Sequence, residues 1–375
     1  FKSLEVSASM GDAARAFTAK LAEPALGGVG GAYWIAPGDE VQIYTGSTLL
    51  LDGFVNDYNP SFSATSHDVS ISGRSKSQDA VDCSAMSDNG NFENLNPQQI
   101  GQRLLSDFDF DITADIDLTS VRRFQVNVGE SIYHAIDRLA RAQGATLMGL
   151  ADGSIIITRA SDNRQAGILA QGSWPLLSAN AKIADTHTFS EFNVRSQIPA
   201  GAARYGEDAA EPRAQYKDTR ATRHRPRVMI LEYMDGAAAA GARAEWQARR
   251  IAGQDISVNA EVQGHFYEGQ LWEPNRLIFF KSDFLKCAHD LLVESVRYSY
   301  GPGGTKTSLT LKPASAQGGE SGGARPGASD ADVDSEDIID AWDGSAPEVV
   351  SLPSTSPSVE DLNNASPGGA FPSVF

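Results

Sequence analysis

The stretch from Ala237 to Pro313 constrains this chain most, because one helical pattern in it gives way to a series of strands. AAAAGARAEWQARRIAGQ (Ala237–Gln254) is dominated by Ala, Arg, Gln and Glu, all good helix formers, and Gly253 stands where a C-cap falls. A helix over 237–253 is expected. In DISVNAEVQGHFY (Asp255–Tyr267), Ile256, Val258, Ala260 and Val262 share one parity, so the strand there has one apolar face. EGQLWEPNRLIFF follows, with Gly269 and Pro274 as punctuation and Leu277–Phe280 as a second strand. His289–Pro313 then reads as strand, Gly-Pro-Gly-Gly turn, strand, which is a β-hairpin signal. The local expectation is a helix leading into a small antiparallel barrel.

Glu40–Ser75 has the same character. Val41 and Ile43 alternate, Thr45-Gly46-Ser47 turns the chain, Leu49–Val55 runs back, and a last strand carries Val69 and Ile71. In this passage and in Pro274–Leu311 a Pro precedes an apolar strand, a return strand carries a Val (Val55, Val296), and a polar strand closes the unit. We read an internal duplication: two related barrels separated by something else. Upstream, LEVSA and the alternation of Phe17, Ala19 and Leu21 indicate two further strands, and EPALGGVGGAYWIAPGDE is loop.

The intervening stretch is different. Asn96-Pro97 opens a helix, PQQIGQRLLSDF, with Ile100, Leu104 and Leu105 on one face. In GESIYHAIDRLARAQG, Ile132, Ile136 and Leu139 lie at i, i+4 and i+7, and Gly144 ends the helix. Strands flank it, and Asp152-Gly153 is a two-residue hairpin turn. This is a small α+β domain. Its His134 has no second ligand at metal spacing, and Cys83 and Cys287 read as free buried thiols, although the two could pair. Further on, Arg213, Lys217, Arg220, Arg223, Arg225 and Arg227 crowd a polar segment between two strands. It is either a solvated loop or a surface for DNA or an acidic partner.

Charge bears on function. The net charge is −17, and residues 313–375 carry −10 of it, leaving −7 for the body. No broad positive field exists to grip a phosphate backbone. No apolar run approaches 18 residues, so no membrane span is expected, and no cofactor, metal or catalytic signature stands out. The end of the chain is a Gly/Ser-rich linker followed by an acidic tail in which Ile338, Ile339 and Trp342 form an apolar island. Such an island cannot bury itself and suits folding onto a partner, so these three are candidate docking residues.

The sequence thus predicts an α+β, predominantly antiparallel β protein. A first barrel spans 1–85, an inserted α+β domain 86–160 and a second barrel 161–313, with 314–375 as linker and tail. ARAEWQARRIAG, GQLWEPNRLIFF and LLVESVRYSYGPGGTKTSLTLKP, in that order, resemble the C-terminal part of the phage Mu-type baseplate hub family (late control D-like), which includes hubs of contractile tails and pyocins. GRSKSQDAVDCSA (Gly73–Ala85) resembles the family's handover from first barrel to insert. The resemblance implies a non-enzymatic structural protein of the virion, assembled in the host cytoplasm. It implies a homotrimer whose six barrels ring a DNA exit channel, with the tail tube protein, the central spike protein and other baseplate proteins as partners. Genomic DNA would pass through without specific binding. The Ser131–Ala160 module also looks like modules of some cell-wall binders, which leaves a peptidoglycan-binding protein, or a cell-wall hydrolase, as alternatives.

Overall fold

The computed structural model describes residues 2–22, 35–64, 67–86, 90–186, 189–196, 213–217, 223–231, 250–251 and 253–317. The expected helix over 237–253 lies outside them except for Arg250, Ile251 and Gly253, which are helical, and Ile338, Ile339 and Trp342 lie outside altogether.

Five antiparallel strands open the chain: β1 (Ser3–Ser9), β2 (Ala16–Ala22), β3 (Glu40–Thr45), β4 (Thr48–Phe62) and β5 (His67–Ser75). In the sheet they lie in the order β1-β2-β5-β4-β3. Alternation places Val6, Phe17, Ala19, Ile43, Val55 and Ile71 inward, and all are buried.

The α+β insert follows as α1 (Gln78–Asp82), β6 (Asn91–Leu95), α2 (Pro97–Leu104), β7 (Ile112–Ala114), β8 (Val121–Gln125), α3 (Ile132–Ala142), β9 (Thr146–Gly149) and β10 (Ile155–Thr158). α2 and α3 start where their caps dictate. The Asn96 side chain accepts from Gln99 N at 2.8 Å, Gln99 accepts from Asn96 N at 3.0 Å, and Pro97 opens the first turn. The apolar stripes of α2 and α3 bury Ile100, Leu104, Ile132, Ile136 and Leu139 against Ile112, Leu147 and Ile155. The chain then continues through β11 (Arg164–Ala170), β12 (Leu176–Ile183), β13 (Glu191–Ser196), β14 (Arg213–Lys217) and β15 (Pro226–Leu231). It ends in β16 (Ile256–Gln263), the short pair β17 (Phe266–Tyr267) and β18 (Gln270–Leu271), then β19 (Leu277–Ser282), β20 (Cys287–Gly301) and β21 (Gly304–Lys312).

The order β12-β16-β21-β20-β19 repeats β1-β2-β5-β4-β3, antiparallel at every step. The last three strands have 6, 15 and 9 residues in both copies. Each long strand carries a bulge at the same place, between Val55 and Asp57 and between Val293 and Ser295. The turns before it match as well. Gly38 N donates to Val55 O at 2.8 Å and Val55 N to Asp39 O at 2.9 Å; Asn275 N donates to Val293 O at 2.8 Å and Val293 N to Arg276 O at 2.9 Å. Gly38 and Asn275 both have positive φ, 96° and 63°, and Pro37 and Pro274 precede them. Val55 therefore corresponds to Val293, not to the Val296 that the sequence pattern suggested.

The two sheets are not separate. β1 pairs with β20, so the ladders run as one path from β12 to β3, and β11 joins in parallel to β19. One core cluster spans both halves. Among the described residues the hydrogen-bonded path stays open at β12 and at β3. The sheet nevertheless curls: the Thr45 hydroxyl, at the end of β3, lies 3.0 Å from Nδ1 of His265 in the other half.

At Gly73 the packing of β4, β5 and Phe17 leaves no room for a side chain. A Cβ on Gly73 would stand 2.0 Å from the Phe54 carbonyl oxygen and 2.6 Å from the Phe17 ring. Gly73→Ala is expected to cost about 2–4 kcal/mol, because backbone must move to admit it; a urea titration measures the loss.

Candidate functional site: the seam between the halves and the two free edges

β20 is long because one of its edges serves two strands. Its first half, Cys287–Leu292, pairs with β19, and its second half, Ser295–Tyr300, pairs with β1. The bulge at Glu294 marks the changeover, where Met10 N donates to Glu294 O at 2.8 Å. Behind this seam lie buried polar groups. Tyr298, 1 % exposed, donates its hydroxyl to the Trp272 carbonyl, and burial pushes its pKa well up. His265 packs edge-on against Tyr298, and its Nε2 lies 3.1 Å from Ser299 O. A carbonyl only accepts, so Nε2 carries the hydrogen in that contact.

Arg15 holds the seam to the insert. It is 3 % exposed, and its Nη1 donates to Leu50 O at 2.9 Å and its Nε to Gly149 O at 3.2 Å. Its backbone exchanges hydrogen bonds with Ser75. One side chain thus ties the β1–β2 connection to β4 and to β9. Burial lowers its pKa, an effect opposed by Tyr298, Glu273 and Asp152. Beside it, Met10 bridges to Met148 and packs with Leu277 and Leu292.

Two strand edges have no such cover. From Asp57 to Phe62, β4 pairs with β5 on one side, and among the described residues nothing pairs on the other, since the ladder with β3 ends at Phe54 opposite Glu40. Among the described residues β12 pairs with β16 alone. Apolar side chains stand exposed at both: Phe62 85 %, Ile183 56 % and Leu177 48 %.

The sequence-derived candidates fall elsewhere or are otherwise engaged. His134 is tied to its helix cap, with Nδ1 2.8 Å from the Ser131 hydroxyl. The apolar face of α3 is used up in the insert's core, so the module once compared with cell-wall binders has no free apolar face there. Cys83 and Cys287 are free thiols; Cys287 is buried as expected, but Cys83 is exposed at the end of α1. The basic segment is not simply a solvated loop. Arg213–Lys217 form β14 beside β13, the guanidinium groups of Arg225 and Arg227 lie 5.2 and 4.8 Å from the Phe189 ring centroid, and Arg223 pairs with Asp185. What sequence reasoning missed was Arg15 and the two edges. An isolated Arg gives no pattern, and strand periodicity does not say who sits beside whom.

Duplicated sheets, a buried polar seam and exposed edges are the features of a structural scaffold. Comparison with known proteins agrees. Residues 1–75 match the Mu phage baseplate assembly protein GpP-like N-terminal family, 77–159 the second domain of gp44-like baseplate hub proteins, and 236–320 the fourth domain of GpP. Over 290 residues the chain is 26 % identical to baseplate hub protein gp44 of Escherichia phage Mu, covering 74 % of this chain and 76 % of that one. The fold resembles a 43 kDa tail protein of prophage MuSo2 from Shewanella oneidensis, with TM-score 0.74, 23 % identity, and 84 % and 95 % of the two chains covered. It also resembles a tail protein from Neisseria meningitidis MC58, with TM-score 0.72, 18 % identity, and 85 % and 94 % covered. The chain belongs to the phage Mu-type tail baseplate hub family. It is a structural protein and not an enzyme.

Arg15→Met keeps the bulk of the side chain but leaves the Leu50 and Gly149 carbonyls without their donor. It is expected to cost about 2–3 kcal/mol in urea unfolding. Tyr298→Phe, which orphans one buried carbonyl, costs about 1–2 kcal/mol in the same assay.

Proposed function

We propose that this protein is the homotrimeric hub that joins the tail tube to the central spike of a phage-like contractile tail. The observation that supports the reading is the duplicated five-strand sheet joined edge to edge in one chain. Three chains with two alike sheets each present six near-equivalent units around a threefold axis, which lets a hexagonal tube stand on a trimer. The spike and other baseplate proteins attach to the remaining surfaces, and assembly takes place in the host cytoplasm before the hub is built into the virion.

The ring encloses the channel through which genomic DNA leaves. A body carrying −7 outside its tail repels DNA weakly and does not hold it, as passage requires. The acidic tail reaches a neighbouring tail component through Ile338, Ile339 and Trp342, whose apolar side chains gain a surface only on docking.

Light scattering on the purified protein tests the assembly: the expected mass is about 120 kDa, three times the 40.0 kDa chain. A 40 kDa species persisting to high micromolar concentration overturns the trimer. For the tail, deletion of residues 330–345 is expected to abolish capture of the tail partner in a pull-down, and capture that survives removes the docking role.

A further inference from the structure

A concentrated basic block and the root of the acidic tail lie side by side in this fold. Between 213 and 227 the chain carries six Lys and Arg against a single carboxylate, Asp218, in a body that is acidic elsewhere. Three of the guanidinium groups converge. Those of Arg225 and Arg227 lie 5.2 and 4.8 Å from the Phe189 ring centroid, and Arg225 also donates to Asp185 O at 2.5 Å and to Thr186 O at 2.8 Å. Arg223 pairs with Asp185, and both side chains are exposed. Among the described residues Asp185 is the only carboxylate paired with any of the three. Positive charge is left over at this spot.

The tail leaves the fold beside it. Phe189 and Ile251 both pack against Phe192. Two residues on from Ile251, at most about 7 Å along the chain, Gly253 meets Ala316 so closely that a Cβ there would stand 2.5 Å from the Ala316 Cα. Ala316 and Gln317 end a short 3-10 helix (Ala314–Gln317), and Gln317 Nε2 donates to Glu294 Oε1 at 3.1 Å. Residues 318–329 are then a Gly/Ser/Ala-rich linker, whose flexible reach is roughly 20 Å. After it, residues 330–343 carry seven carboxylates and no Lys or Arg.

The two sets of charges share a period. Asp330, Asp332, Asp334 and Glu336 recur every second residue, and so do Arg223, Arg225 and Arg227. In extended chain that spacing puts successive charges on one side, about 6.6 Å apart. We propose that residues 330–336 of the tail lie along Arg223, Arg225 and Arg227 of the same chain, carboxylate against guanidinium. Each such pair at the surface is weak and screened by salt. The short tether raises the local concentration of the tail to the millimolar range, so a few weak pairs suffice. Ile338 follows Glu336 by two residues, so the apolar island emerges next to the small sheet at a set place. The contact goes beyond the hub reading and does not rest on it.

The test uses the full chain carrying Arg223→Cys and Asp334→Cys in a Cys83→Ser background, with the buried Cys287 left in place. A disulfide then stands in for one ion pair. After mild oxidation at low salt, non-reducing electrophoresis and peptide mass mapping are expected to find the link inside one chain. Two comparisons keep the tether and its length. One is the same pair with Asp330→Asn, Asp332→Asn and Glu336→Gln; the other is the unneutralised pair in 1 M NaCl, where the screening length falls to about 3 Å. Each should link at least tenfold more slowly, with rates normalised to each thiol's reaction with iodoacetamide. Neutralising the later carboxylates instead (Glu348→Gln, Glu360→Gln, Asp361→Asn) should leave the rate unchanged. Equal rates in every form mean a tail that is only tethered, and overturn the contact. A link between two chains overturns the assignment to the chain's own tail, and slowing by the later trio as large as by the first overturns the matched spacing. None of these results alters the trimer mass or the capture of a tail partner, which stand on their own measurements.

Discussion

The pairing of β1 with the second half of β20 is the constraint on which the rest of this structure depends. It turns two five-stranded sheets into one, and it does so at the bulge where β20 changes partners, so that one strand builds its own half and the join together. A strand edge is a row of unpaired donors and acceptors, and joining halves by pairing them satisfies those groups without further chain. Among the described residues the same arrangement leaves β12 and the far part of β4 without a second partner strand.

Buried polar chemistry makes the join specific. Among the described residues no carboxylate is hydrogen-bonded to Arg15; two backbone carbonyls in different parts of the chain accept from its guanidinium. That arrangement tolerates little displacement, because a donor removed from its carbonyl remains buried and unpaired. Tyr298 and His265 act similarly, since each satisfies one carbonyl while packing against the other. The insert is thereby anchored to the sheet through Arg15 and the Met10–Met148 bridge, although its core is separate.

Family membership and physical reading converge on a protein whose function is positional. Nothing at the seam needs to react. Its parts hold two sheets at a set relation, and the pairing of β1 with β20 does so.

The sequence by itself determined many of the strands, the insert helices α2 and α3, and the existence of a repeat. Parity in Ile256–Val262, the Asn96-Pro97 cap and the Asp152-Gly153 turn are local features, and local features are what side-chain period and backbone preference encode. It also carried the family resemblance, through residues that keep their order along the chain. The tertiary structure alone decided the equivalence of Val55 with Val293, the exposure of Cys83, the stacking of Arg225 and Arg227 on Phe189, and the junction at Arg15. Each depends on which strand lies beside which. Period-two patterns look alike wherever they occur, so partners and register are chosen by long-range packing that no single stretch contains.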